Sequence, residues 1–360
     1  NNMSSPFLDL MYIITTDSCN FRCPYCFIEN NYDDEKRKNM TWEIAKKGID
    51  YFFLEAKSEN PRIVFYGGEP TLNEEVLLQS IDYIREKSKS TQISINTNGS
   101  IYSEKLAFCF KKNKVTLVIS VDGFEPIHNK TRIDSNFKGM YEVFKKNIDK
   151  YGQEGINISF SITLNKYNAP YLPVIAKWVV KEFPKVKSVG FNLPSQNVKG
   201  NSLFVDPEYC AIQLYNAFRI FRKYGIYEDR VMRRLDKIVE EKIYMKDCAG
   251  CGNQMVLLPD GLVGPCHGFM GMKKDFLNNI NNFNFKSDEV IKRWNTYTPV
   301  NKPSCVEENC PFLLICGNGC PYYSFITKGS MEAKDDRMFP FLGRMIDEMA
   351  KDLNLKKPKA

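Results

Sequence analysis

Three cysteines open the chemistry of this chain. The run Cys19-Asn20-Phe21-Arg22-Cys23-Pro24-Tyr25-Cys26 places three thiols in one short loop directly after an apolar stretch. Three thiolates hold three irons of a four-iron cube and leave the fourth iron open to an outside chelator. Structural zinc is the competing use of such thiols. Zinc closes its shell with four protein ligands, however, and no fourth Cys or His lies within this loop. A second group stands downstream: Cys248-x2-Cys251, Cys266, then Cys305-x4-Cys310-x5-Cys316-x3-Cys320. Seven cysteines within about seventy residues exceed one site, so two further iron clusters and a two-zinc ribbon are both open readings. Ten of the twelve cysteines sit in these tight spacings, in a long chain without a signal peptide. Ligation rather than disulfide bonding is the expectation. Cys109 and Cys210 stand alone in helical patterns and read as buried thiols.

Polar groups follow the next apolar runs. In Gly67-Gly68-Glu69-Pro70 the glycines leave the backbone open to close approach, and Glu69 adds negative charge. The same four residues also make an ordinary strand-ending turn. Thr97-Asn98-Gly99, Ser120-Val121-Asp122-Gly123 and residues 128–132 end later runs, with His128 read as a structural residue. His267 directly follows Cys266. An imidazole there suits a proton acceptor, and equally a hydrogen bond to a cluster sulfur.

The loop of Cys19, Cys23, Tyr25 and Cys26, with Gly67-Gly68-Glu69-Pro70 at the end of the following strand, resembles the radical S-adenosylmethionine (SAM) superfamily. The resemblance covers about the first two hundred residues and implies a [4Fe-4S] cluster on Cys19, Cys23 and Cys26 with SAM on its open iron. It implies SAM contacts from Tyr25, Phe27, Gly67, Gly68, Glu69, Asn98, Ser120, Asp122, Arg132 and Leu193, with Ser120 and Arg132 on the SAM carboxylate. The downstream cysteines resemble the SPASM extension of peptide-modifying members. That resemblance assigns Cys248, Cys251, Cys266 and Cys320 to a first auxiliary cluster and Cys305, Cys310 and Cys316 to a second, three [4Fe-4S] clusters in all. The family usually supplies another Cys after the dense run, and none follows Cys320 here. The fourth ligand of the second cluster is therefore Asp335, Asp336, water, a substrate thiolate, or an open site. Sulfatase maturases of the family place an acid where His267 stands, whereas Pro265-Cys266-His267-Gly268-Phe269 looks like the segment of maturases of thioether-bridged peptides.

The function so implied is a radical SAM maturase of a ribosomally made (RiPP) precursor peptide. A 5'-deoxyadenosyl radical abstracts hydrogen from a substrate residue to form a crosslink, thioether C–S or C–C, with His267 as candidate base. Formylglycine formation on sulfatases and oxidation or decarboxylation of a haem- or quinone-type precursor are the enzymatic alternatives. A non-catalytic electron carrier or a zinc adaptor is the alternative of another class. The implied partners are the precursor peptide and a flavodoxin- or ferredoxin-type electron donor. Because the first strand comes almost at once, the expectation is a separate leader-recognition protein or a different docking surface.

These residues must be positioned by a frame, and the sequence supplies one. Apolar, β-branched runs at 10–15, 62–66, 92–97, 115–121, 157–163 and 188–193 alternate with amphipathic stretches at 41–56, 74–87, 103–112, 138–151 and 170–182. That rhythm predicts βα units on a parallel sheet, with Thr41 and Ser103 as helix N-caps. Six units fall short of a closed eight-stranded barrel, so the expected fold is α/β, a partial (β/α)6 TIM-like barrel with chemistry at the C-terminal strand ends. The expected organisation is a core over 1–205, a helical bridge over 206–246, a loop-rich auxiliary-cluster module over 247–335 and a C-terminal helix within 336–360. Asn1 and Asn2 ahead of Met3 read as an expression scar. A hydrophobic content of 43% and a charged content of 26% argue against disorder. The net charge of +7 is interspersed rather than blocked, so no nucleic-acid partner is expected. No apolar run is long enough to span a bilayer, and oxygen-sensitive thiol ligands suit a reducing cytoplasm.

Overall fold

The computed structural model describes residues 6–28, 37–193, 203–243 and 245–353. Asn1, Asn2 and residues 354–360 of the expected terminal helix lie outside them. In chain order the first elements are β1 (Leu10–Thr16), α1 (Trp42–Glu55), β2 (Arg62–Gly67), α2 (Glu74–Lys87), β3 (Gln92–Thr97), α3 (Glu104–Lys112), β4 (Thr116–Ser120), the one-turn α4 (Glu125–His128) and α5 (Tyr141–Gln153). Next come β5 (Asn157–Thr163), α6 (Leu172–Glu182), β6 (Ser188–Asn192), α7 (Pro207–Lys223), β7 (Tyr227–Glu228) and α8 (Asp229–Val239). The last are β8 (Gln254–Leu257), β9 (Leu262–Gly264), β10 (Asn278–Asn279), α9 (Glu289–Asn295), α10 (Pro303–Val306), α11 (Pro321–Lys328) and α12 (Met338–Asp352). The fold is the expected α/β class with a parallel sheet and alternating βα units. Among the described residues no helix is long and apolar enough to cross a membrane.

The chain forms two compact units, one of residues 1–120, 131–159 and 249–297, the other of residues 121–130, 160–248 and 298–360. In the first, the strand order is β10-β9-β8-β1-β2-β3-β4. The strands from β8 to β4 run parallel, and β9 and β10 return antiparallel. Strand β1 is central and reads Leu-Met-Tyr-Ile-Ile-Thr-Thr, buried at every position but Tyr12. Such continuous apolarity is what a parallel strand covered on both faces requires. Helices α1, α2 and α3 connect successive strands, and Thr41 and Ser103 cap α1 and α3 by accepting from Ile44 N and Leu106 N. In α1 a Cβ on Gly48 would lie 2.3 Å from a Leu257 methyl, so the helix sits directly on β8.

Residues 254–257 were expected within a loop-rich module, and they form a strand whose Leu10↔Gln254 to Ile13↔Leu257 register extends the sheet from β1. A four-residue strand among Gly, Pro and Cys is too short to show a period, and its partner is more than two hundred residues away. In the second unit β6 pairs in parallel with β5, from Phe160 onward, and with β7. Helix α7 packs against both α6 and α12 there, and Phe341, Leu342 and Met345 of α12 are fully buried.

Candidate active site

The cysteine loop leaves β1 and is tied down by backbone. Phe21 is buried and bridges to Asp134, and Arg22 N donates to the Ile133 carbonyl at 2.7 Å. The Arg22 guanidinium then clamps the carbonyls of Cys19 and Phe21 at 2.8 and 2.9 Å, and Cys26 N closes a turn onto the Cys23 carbonyl at 3.0 Å. N–H donors point at two of the three sulfurs. Phe21 N lies 3.4 Å and Asn98 Nδ2 3.9 Å from Cys19 Sγ, and Arg132 Nη1 lies 3.9 Å from Cys23 Sγ. The Arg132 guanidinium also sits 5.3 Å from the centre of the Tyr25 ring. Burial, reinforced by the Glu69 carboxylate, pushes the Cys19 thiol up, so its thiolate calls for a cation on the sulfur. Sulfurs met by N–H donors and shielded from water are what an iron-sulfur cluster asks of its ligands.

The next strand ends converge on this loop within the same unit. Gly67 adopts φ 141°, and Cβ atoms added at Gly67 and Gly68 would lie 2.3 and 2.1 Å from the carbonyls of Thr16 and Ser18. Both glycines therefore let the β2 turn lie against the backbone that leads into Cys19. Gly68 N and Glu69 N donate to those same two carbonyls. Glu69 itself is fully buried. Its Oε1 accepts from Thr71 N, Thr71 Oγ1 and Thr97 Oγ1 at 3.2, 2.7 and 2.7 Å, and its Oε2 accepts from Asn98 N at 2.7 Å. Burial pushes its acid up, and these donors oppose that shift. The carboxyl laces the ends of β2 and β3 together. Asn98 is thereby held with its amide toward Cys19 and Asn20, and Ser120 closes β4 as its last residue.

His267 meets this loop from the far end of the sequence. Its ring stacks on Tyr12 of β1 at 4.7 Å with the planes 28° apart, and lies 4.9 Å from Tyr66 of β2 and 6.2 Å from Phe27. Its Nδ1 is buried without a hydrogen-bond partner, and burial holds its pKa down at about 4, so the imidazole is neutral at neutral pH. Among the groups that act on the Tyr66 hydroxyl are Cys26, Arg132 and Cys266, which joins the cysteine loop, this stack and the later cysteine in one neighbourhood. The Cys266 sulfur accepts from Gly268 N at 3.3 Å, and Cys251 is buried in the same unit. Tyr12 and Tyr66 were not among the candidates read from the sequence. Their signal was the strand period, which puts these two positions on the face opposite to Ile13 and Phe65.

The second unit holds the remaining candidates. Asp122 is buried after β4, and the Leu193 carbonyl after β6 accepts from Arg337 at 3.3 Å. Cys320 N donates to Asp335 at 3.0 Å, and Cys248 is close enough to raise the Cys320 thiol, which burial pushes up to about 11. Cys305, Cys310, Cys316 and Asp335 line one cavity of about 220 Å³. Asp335 is buried and chelated by Arg337, whose Nε and Nη2 reach its two oxygens at 2.9 and 2.8 Å, while the exposed Asp336 pairs with Lys328 at 2.7 Å. Among the described residues no three Cys, His, Asp or Glu side chains converge tightly enough for a single metal ion. Three thiols facing a volume of about 220 Å³ would accommodate a polynuclear cluster, whereas structural zinc asks for a fourth protein ligand. None of the twelve cysteines is joined in a disulfide, and Cys109 and Cys210 are buried in α3 and α7.

Residues 13–179 match the family model for the Radical SAM superfamily. A cysteine-type anaerobic sulfatase-maturating enzyme of Clostridium novyi is 31% identical over 188 residues, 49% of this chain and 48% of that protein. The chain thus spans about half the length of that curated relative. Among solved structures, native anSMEcpe with bound AdoMet and Cp18Cys peptide superposes with a TM-score of 0.78 at 20% identity, covering 97% of this chain and 99% of that one. Streptococcus suis SuiB bound to the precursor peptide SuiA superposes with a TM-score of 0.63 at 15% identity, covering 92% and 76%. Both likenesses are likenesses of fold.

Proposed function

We propose, from the premise that this chain is a radical SAM enzyme with its domain over residues 13–179, that it matures a ribosomally made peptide by crosslinking one of its residues. The observation that carries this reading is the convergence, in one unit, of the Cys19/Cys23/Cys26 loop, the polar strand ends and the His267 stack. The solved relatives that hold a Cp18Cys peptide and the precursor peptide SuiA support a peptide substrate. Cys19, Cys23 and Cys26 would hold a [4Fe-4S] cluster that with SAM would supply hydrogen-abstracting radical chemistry, and the later cysteines would hold auxiliary clusters able to accept an electron.

The chain's own residues then hold, orient and shield. Asn98 and Arg132 place N–H donors on the sulfurs of Cys19 and Cys23 and so favour the electron-rich state of the ligands. When SAM is bound, the backbone of Gly67 and Gly68 would hold its ammonium, and Ser120 and Arg132 its carboxylate. Glu69 is held by three donors on Oε1 and one on Oε2, which leaves Oε2 able to accept from the SAM ammonium. Neutral His267 accepts the substrate proton at Nδ1, walled from water by Tyr12, Tyr66 and Phe27.

Sulfatase maturation is the second reading, favoured by the 31% identity to the Clostridium novyi enzyme. Anaerobic protein with SAM and dithionite should release 5'-deoxyadenosine, and Cys23→Ala should abolish that release. Mass spectra of peptides then separate the readings. Crosslinking removes hydrogen and keeps the cysteine sulfur, whereas conversion of cysteine to formylglycine expels it. An iron-replete preparation that leaves SAM intact would sink both.

A further inference from the structure

The cavity in the second unit carries a polar group that the cysteines cannot satisfy. Asn318 lies two residues after Cys316, in the left-handed region at φ 79° and about 5% exposed. It lines the cavity beside Cys305, Cys310 and Cys316, and neither its Oδ1 nor its Nδ2 has a hydrogen-bond partner. A buried amide left unmet keeps the full cost of losing its water, so something in the cavity should answer both atoms. Cluster sulfides and cysteine thiolates are acceptors only and can meet Nδ2 alone. The Oδ1 needs a donor, and no described side chain of the wall bonds to it. Lys302 Nζ donates to the Ala333 carbonyl, Lys334 pairs with Glu308, and Arg337 chelates Asp335.

The same contacts bear on the fourth ligand of the second cluster. Asp335 stands at the wall, but both its oxygens face Arg337 and one also takes Cys320 N. Asp336 is turned to solvent and pairs with Lys328. Met338, Leu342 and Phe312 make the rest of the wall apolar. A volume of about 220 Å³ corresponds to roughly seven waters, more than a lone metal ion fills.

We propose that the second auxiliary cluster takes its fourth iron ligand from outside the chain, as a small aminothiol whose sulfur binds iron and whose N–H donates to Asn318 Oδ1. The inference rests on the reading of Cys305, Cys310 and Cys316 as cluster ligands. Thiolate is the soft donor that iron in a sulfur environment prefers, and the amine supplies the hydrogen bond that an all-acceptor cluster cannot.

The test uses full-length Cys19→Ala/Cys23→Ala/Cys26→Ala protein, reconstituted anaerobically, so that the SAM cluster's open iron cannot take the probe. About eight irons per chain are expected, two four-iron clusters. Titration with L-cysteine should shift the EPR signal of one reduced cluster saturably, and L-selenocysteine should give a selenium–iron scattering path in X-ray absorption. Asn318→Gly removes the amide at a backbone angle glycine adopts freely. It should weaken L-cysteine roughly fivefold, the worth of one hydrogen bond, and leave 3-mercaptopropionate, which lacks the amine, unchanged. Asp335→Asn should still bind the probe. An iron count near four would overturn the cluster reading itself. Eight irons with no response to either probe, or a response that appears only in Asp335→Asn, would overturn the external ligand and make Asp335 the fourth one.

Discussion

Glu69 shows how a residue chosen for one chemistry can be held by another. Its charge suggested a partner for an ammonium group, yet four donors from Thr71, Thr97 and Asn98 surround its carboxyl. Glu69→Gln presents an NH2 to donors that need an acceptor, and should cost about 1–3 kcal/mol with a lowered Tm in thermal unfolding. It should also loosen Asn98 and so weaken SAM binding, read by equilibrium dialysis. An unchanged Tm would mean that the lacing between β2 and β3 is not structural. His267 illustrates the opposite case. The sequence placed it beside Cys266, but only the fold brings it against Tyr12, Tyr66 and Phe27.

At the scale of elements, local signals were read well. Gln92–Thr97 and Asn157–Thr163 match the apolar runs end to end, as does α2, and both proposed N-caps make their bonds. Short elements escaped, because two to four residues carry no period: α4, β7 and β8 to β10 are of this kind. One cap yields a pH test. Glu228 caps α8 by accepting from Arg230 N and Val231 N at 2.8 Å each, and burial raises its pKa from 4.5 to about 7. The folded state thus binds this proton more tightly than the unfolded one between those values. Its contribution to stability is present below pH 4.5 and is lost as pH rises toward 7. Wild type should therefore lose stability relative to Glu228→Gln over that window, measured by urea denaturation at stepped pH. Parallel curves would show that the carboxyl keeps its ordinary acidity in the fold.

For the whole molecule, the consequential fact is that residues 249–297 share a unit with the first strands. Strand β8 completes the ladder of β1 from Leu10 to Ile13, and Leu257 packs on Gly48. A chain ended at residue 246 keeps every predicted βα strand but leaves a buried apolar strand as an open edge. Such a fragment should aggregate or exchange its β1 amides rapidly, whereas full-length protein protects them. A soluble, protected fragment would show that β8 is dispensable. The cofactor load belongs to this scale too: about twelve irons per chain are expected from three four-iron clusters, and zinc in their place would return the later cysteines to a ribbon.

The sequence by itself determined what depends on neighbours along the chain: the cysteine triad in one loop, the helix caps, the strand periods and the turn glycines. Each is set by spacing, chirality or a local hydrogen bond, and each can be read without knowing what lies across the molecule. The tertiary structure alone decided what depends on groups far apart in sequence. It brought Thr97 and Asn98 of the next strand end onto Glu69, and set His267 against two strands more than two hundred residues earlier. Burial and hydrogen-bond satisfaction are properties of what surrounds an atom in space, and no spacing along the chain encodes them.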